Sequence, residues 1–202
     1  MIQTYLAGLK KKSVIALILM ITGSVGLDQI SKQHSQNTLM VWNHKSDTRQ
    51  YQGQRHELWS TGSPSYNSKD FYLAFSFNYV RNPGAAWGAL QNLPDNVRIP
   101  FFYMVTLVAV IIIGVYMKST PPEHLTARFA LSLILSGAIG NFIDRILYGY
   151  VIDWIDVRWN LFAWRYDFPN FNIADSAITV GVALLLIDMV ILEALRKKRA
   201  ST

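Results

Sequence analysis

The sequence predicts a mainly α-helical membrane protein, a bundle of four transmembrane helices with a small extracytoplasmic β-sheet and loop excursion. Three observations carry that expectation. Apolar residues make up 51% of the 202 residues yet gather in four blocks, at 13–27, 99–117, 126–143 and 173–195. Basic clusters recur at alternate ends of those blocks. Between the first two blocks, Phe71, Leu73, Phe75, Phe77 and Tyr79 occupy alternate positions, the two-residue period of a half-buried strand.

A span needs about 20 mostly apolar residues to cross roughly 30 Å of hydrocarbon. The first block reaches that length only if its helix continues through Leu27-Asp-Gln-Ile-Ser-Lys32, giving a span at 13–32 with Asp28 at its far membrane face. Lys10-Lys-Lys12 before an apolar run also fits a cleavable secretory signal. No A-x-A pattern follows Thr22-Gly-Ser-Val-Gly26, however, and the run passes directly into polar sequence. Residues 33–69 are polar, rich in Ser, Asn, Gln and Gly and without a sustained period, so they read as a loop or irregular surface excursion. The alternating strand follows and leads into Asn78-Tyr-Val-Arg-Asn-Pro-Gly-Ala-Ala-Trp-Gly88, where Pro83-Gly84 marks a turn. The remaining blocks give spans at 99–117, 126–143 and 173–195. The link between the last two is dense in aromatics, among them Tyr148, Tyr150, Trp154, Trp159, Trp164 and Phe171. Such rings suit the headgroup region, or a surface that grips a lipid-bearing substrate arriving sideways from the bilayer. The whole chain reads as a single membrane-embedded domain with long connections at 33–98 and 144–172.

Charge sets the orientation. Lys10 to Lys12, Lys118 with Arg128, and Arg196-Lys-Lys-Arg199 fall on one side of an even number of crossings. The positive-inside rule calls that side cytoplasmic, so both termini are cytoplasmic and both long connections lie outside. The net charge of +6 is thereby a topology signal, and no nucleic-acid partner is expected. The chain has no cysteine, which excludes disulfides, a thiol nucleophile and thiolate metal ligands. His34, His44 and His56 share one polar stretch without paired ligand spacing, so neither metal nor cofactor is expected.

Acidic residues carry the chemistry that remains. Asn141, Asp144 and Arg145 stand at i, i+3 and i+4 on one face of the third span's outer end, and Asn172 and Asp175 at i, i+3 where the fourth begins. Topology thus brings Asp28, Asp144, Asp153, Asp156 and Asp175 to the same outer surface. Carboxylates beside hydrocarbon are costly to keep ionised and point to function. Two of them sharing a proton supply a base and an acid together, enough to hydrolyse a peptide bond without a covalent intermediate. Asp144, next to Arg145, and Asp188, facing the basic cytoplasmic end, read as structural. Asp156 reads as a bystander three residues beyond Asp153. A small transporter or proton relay is the rival, but it needs acids near the bilayer midplane, whereas these sit at span ends.

Four stretches then resemble, in order, the sequence blocks of the lipoprotein signal peptidases, also called type II signal peptidases. They are Leu27-Asp-Gln-Ile-Ser-Lys32, Arg81-Asn-Pro-Gly-Ala-Ala-Trp-Gly88, Gly140-Asn-Phe-Ile-Asp-Arg145 with Gly149-Tyr-Val-Ile-Asp-Trp154, and Phe171-Asn-Ile-Ala-Asp-Ser-Ala-Ile178 with Gly181. The resemblance covers all four spans. It implies an aspartyl endopeptidase of the bacterial cytoplasmic membrane, a monomer among membrane lipids, that removes the signal peptide of a prolipoprotein just before a diacylglyceryl-modified cysteine. It further implies that Asp153 and Asp175 are the catalytic dyad. Asp28, Asn82, Asn141, Arg145 and Asn172 would form the polar shell that orients dyad and substrate, and Asp144 a structural partner in the Asn-x-x-Asp-Arg turn. The chain departs from the pattern in a longer stretch between Asp28 and Asn82, a longer interval from Asp153 to Asp175, and Trp in place of the more usual Phe at 87 and 154. An inactive paralogue would be expected to have lost one of the two aspartates.

Overall fold

Apolar runs this long fold as helices because each backbone N–H and C=O must find its partner within the segment once water is excluded. The computed structural model describes residues 2–42, 51–62, 71–85, 88–161 and 164–192. Arg196-Lys-Lys-Arg199, His44 and Trp87 lie outside them. The described helices are α1 (Ile2–Leu39), α2 (Asp95–Ser119), α3 (Leu125–Tyr148) and α4 (Ile173–Ile187), the last continued by a π-helical turn, Asp188–Leu192. Four stretches are long and apolar enough to cross a membrane, Val14–Leu39, Asp95–Ser119, Leu125–Tyr148 and Ile173–Ile191. The chain divides into two units. One comprises Met1–Asp28, Pro100–Ile143 and Ile173–Thr202, the other Gln29–Ile99 and Asp144–Asn172.

In the first unit, α2 leaves Met104, Leu107, Ile111, Ile112 and Val115 exposed, a surface fit for lipid rather than water. The contact between α3 and α4 is made by small residues. A Cβ on Gly137 would run into the carbonyl oxygen of Ala174 and stand 2.6 Å from Ile178 Cγ1, and one on Gly181 would stand 2.7 Å from Ile134 Cγ1 and 2.8 Å from the Ala130 oxygen. Glycine at these points lets the backbones close together, which is how helices associate where lipid removes the hydrophobic drive. Ser136 Oγ bonds Ser24 Oγ at 3.1 Å and ties α1 to α3 in the same unit.

The second unit holds the strands. An antiparallel sheet runs in the order β3 (His56–Thr61), β4 (Tyr72–Asn82), β5 (Val151–Leu161), β6 (Trp164–Asp167), and β1 (Met40–Trp42) pairs separately with β2 (Tyr51–Gly53). The expected strand after Phe71 is thus present as β4. Its better-covered side is nevertheless the unexpected one, since Tyr72, Ala74 and Ser76 are buried while Leu73, Phe75 and Phe77 are only half-buried. A bulge between Phe77 and Val80 puts an extra β4 residue opposite β5 and turns Tyr79 into the core, where it is 1% exposed.

Two expectations need correction. Residues 33–39 are not loop but the last two turns of α1, and the stretch beyond them contributes three strands. Polar helix and polar edge strands carry no apolar period, so sequence patterning has nothing to register there. The aromatic link at 144–172 likewise contains an eleven-residue strand, β5.

Candidate active site

Asp153 lies on β5, opposite Val80 at the end of the β4 bulge, and is 2% exposed. Both its carboxylate oxygens accept from asparagine amides. Asn172 Nδ2 donates to Oδ1 at 2.7 Å and Asn82 Nδ2 to Oδ2 at 3.0 Å. Asn172 is further fixed by donating to the Ile152 carbonyl at 3.2 Å, and Asn82 by accepting from Gly84 N at 3.0 Å across the Pro83-Gly84 turn. Arg145 braces that same turn by donating to the Gly84 carbonyl at 3.1 Å. Expected to orient the dyad, Arg145 here acts on Asp153 through the turn that aims Asn82.

Asp144 is buried at 0% exposure, and its partner is not the adjacent Arg145. Its Oδ2 meets Lys32 Nζ at 3.1 Å and accepts from Ile152 N at 2.9 Å, while Oδ1 accepts from Gln29 at 3.0 Å. Lys32 is itself 1% exposed, so the pair is desolvated on both sides. Its use is positional, because the amide it fixes belongs to the residue before Asp153. Lys32 is one of the cations open to these acids from the sequence, and Gln29, three residues before it on the same helical face, completes the set.

In the first unit, Asn141 Nδ2 donates to Asp175 Oδ1 at 2.7 Å. Asp175 stands in the first turn of α4, where a negative charge opposes the helix dipole favourably. Asp28, 1% exposed, accepts from Ala174 N at 2.9 Å and so caps α4 from another helix. Gly140 makes room for it, since a Cβ there would stand 2.6 Å from Asp28 Oδ2.

Asp156 pairs instead with Arg55 Nε at 2.9 Å and Arg158 Nε at 3.3 Å, an ion-pair set on the sheet. Nearby, Arg81 Nε donates to the Tyr79 hydroxyl at 3.1 Å and its guanidinium lies 4.9 Å from the Tyr150 ring centre. Burial, with the hydrogen bond to Tyr79 second, pushes the Tyr150 hydroxyl above the ordinary phenol range, so it remains a neutral group. Among the described residues no three histidine, aspartate or glutamate side chains gather as a metal site.

The family described as signal peptidase (SPase) II matches residues 17–191 of this chain. The chain belongs to the signal peptidase II family. It is accordingly a multi-pass membrane peptidase. It is 47% identical over 113 residues to a lipoprotein signal peptidase of Syntrophotalea carbinolica, covering 56% of this chain and 66% of that one. It is 50% identical over 117 residues to one from Geobacter sulfurreducens, covering 57% and 69%. The matched stretch thus spans about two thirds of the length of these curated relatives. A solved bacterial membrane enzyme aligns at a TM-score of 0.63 and 32% identity, over 88% of both chains. A second, also described as a bacterial membrane enzyme, gives 0.60 and 32%, over 87% of this chain and 93% of the other. Membership of a peptidase family replaces the transporter reading.

Proposed function

We propose that this signal peptidase II cleaves the signal peptide from diacylglyceryl-modified prolipoproteins, just before the lipidated cysteine, with Asp153 and Asp175 acting as one acid–base pair. The observation that carries the reading is the matched treatment of two aspartates. Each accepts hydrogen bonds from asparagine amides, Asp153 from Asn82 and Asn172 and Asp175 from Asn141, whereas Asp144 and Asp156 are paired with cations and Asp28 caps a helix end. An asparagine amide orients a carboxylate while bringing no charge of its own to it. Asn172, which holds Asp153, precedes Asp175 by three residues in sequence.

In the mechanism the ionised aspartate takes a proton from water as the water oxygen attacks the scissile carbonyl. The protonated partner hydrogen-bonds the carbonyl oxygen, and a tetrahedral gem-diol forms. On collapse the C–N bond breaks and a proton passes to the departing nitrogen, which becomes the free α-amino group of the lipidated cysteine. The enzyme works as a monomer in the bacterial cytoplasmic membrane among lipids that deliver the substrate, with both termini cytoplasmic and the dyad on the outer side.

A gel-shift assay with purified protein and a lipidated precursor tests this. Asp153→Asn and Asp175→Asn are each expected to lower turnover by about three orders of magnitude or more, and the double variant little further, because members of one catalytic unit do not add. Ordinary turnover by either single variant would remove the dyad.

A further inference from the structure

We propose that a cavity in the strand-bearing unit is a subsite for the first residues of the mature lipoprotein, the polypeptide that follows the lipidated cysteine. This rests on the peptidase reading above and names a part of the substrate that the dyad itself does not touch. The cavity has a volume of about 420 Å³ and is lined by Ser31, His34 and Thr38 of α1, His56 of β3, Phe77 of β4 and Trp154 of β5.

Its walls are tied together by residues between Asp28 and Asn82. Gln54 N donates to the Leu39 carbonyl at 2.8 Å, joining the β2–β3 link to the end of α1. Ser35 Oγ donates to the Asn78 carbonyl at 3.1 Å, joining α1 to the β4 bulge. Gly53 presses so close to the bulge that a Cβ would collide with the Tyr79 carbonyl oxygen. Arg55, the next residue but one, is held by Asp156. The cavity is therefore built before any ligand arrives, which removes much of the ordering cost of binding.

Position and lining identify the occupant. Trp154 directly follows Asp153 on β5, so one wall of the cavity and the proposed reacting carboxylate share a strand. Of the two halves of the substrate, the signal peptide is apolar and belongs in the bilayer. The mature half is water-soluble polypeptide and has to leave past the non-spanning strands. The floor is aromatic, Phe77 and Trp154 meeting edge to face at 5.0 Å, and the rim carries two exposed imidazoles with hydroxyls between them. Acyl chains have no use for that rim. An extended peptide uses both parts, its side chains over the rings and its amides against the imidazoles and hydroxyls.

The test compares two lipidated precursors, one ending at the residue after the cysteine and one continuing for several residues. Thr38→Trp fills the cavity from an exposed helix position whose hydroxyl bonds only its own helix, at the His34 carbonyl. His34→Ala strips the rim. For the wild type the longer precursor is expected to show a KM about tenfold lower, and both variants to raise that KM toward the short precursor's value with kcat unchanged. Turnover of the short precursor serves as the fold control and should not move. Equal KM values for the two precursors in the wild type, or a ratio unaffected by Thr38→Trp, would overturn the subsite while leaving the peptidase intact. Failure of the wild type to cut either precursor would instead overturn the peptidase reading, and the subsite with it.

Discussion

In the proposed dyad, single neighbouring side chains separate the acids assigned to react from those that hold the structure. Asp156 is the natural decoy, buried and close to Asp153 in sequence, but its charge is already engaged by Arg55 and Arg158. Asp156→Asn is therefore expected to keep near-normal turnover and to lose about 1–2 kcal/mol of stability, a small figure because Arg55 reaches solvent. Comparison of thermal midpoints and cleavage rates checks both halves. Lys32 is the opposite case. With Asp144 fully buried, Lys32→Met would leave that carboxylate without its cation at a cost of about 3–5 kcal/mol and loosen the group that holds the Ile152 amide next to Asp153. Adding Asp144→Asn to Lys32→Met should recover part of that stability without recovering turnover, and a double-mutant cycle measures the coupling. No recovery at all would mean that the pair contributes through packing rather than charge.

At the scale of elements, the strongest dependence is that of α4 on α1. Asp28 caps the start of α4 through a gap that exists only because residue 140 is glycine. Gly140→Ala should displace that carboxylate, cost about 1–3 kcal/mol, and lower turnover through Asp175 in the same first turn, as seen in melting and rate measurements on one preparation. Much of this architecture was legible in the sequence. The spans announce themselves by length and apolarity, and the motifs around Asn82, Asn141 and Asn172 do so by their paired amides and acids. What escaped was whatever depends on polar segments meeting at long range. The i, i+3, i+4 spacing of Asn141, Asp144 and Arg145 correctly places them on one helix face, yet the three serve different partners, namely Asp175, Lys32 and the Gly84 carbonyl. The last turns of α1 lacked an apolar stripe to advertise them. Strand β5 could have been read from Val151, Ile155, Val157 and Trp159, β-formers that the density of neighbouring aromatics obscured.

For the molecule as a whole, topology is open to direct measurement because the chain has no cysteine of its own. A single cysteine at Ser60, on β3, should react with a membrane-impermeant maleimide in intact spheroplasts, and one at Ser201 only after permeabilisation. Labelling at Ser201 but not at Ser60 from outside would reverse the orientation assigned from Lys10 to Lys12 and Arg196 to Arg199, and labelling at both would overturn the four-span topology. The long-range polar pairings also bear on how the protein is made. Asp28 waits for an amide 146 residues later in the chain, and the same helix offers Lys32 to an acid on α3. While the ribosome is still extending the chain, the first helix sits in the membrane before these two partners have been made, and only arrival of the fourth supplies the Ala174 amide. Contacts of such separation form late. Nascent chains halted before Ile173 should accordingly be prey to membrane quality-control proteases, and a separately translated fragment carrying α4 should protect them.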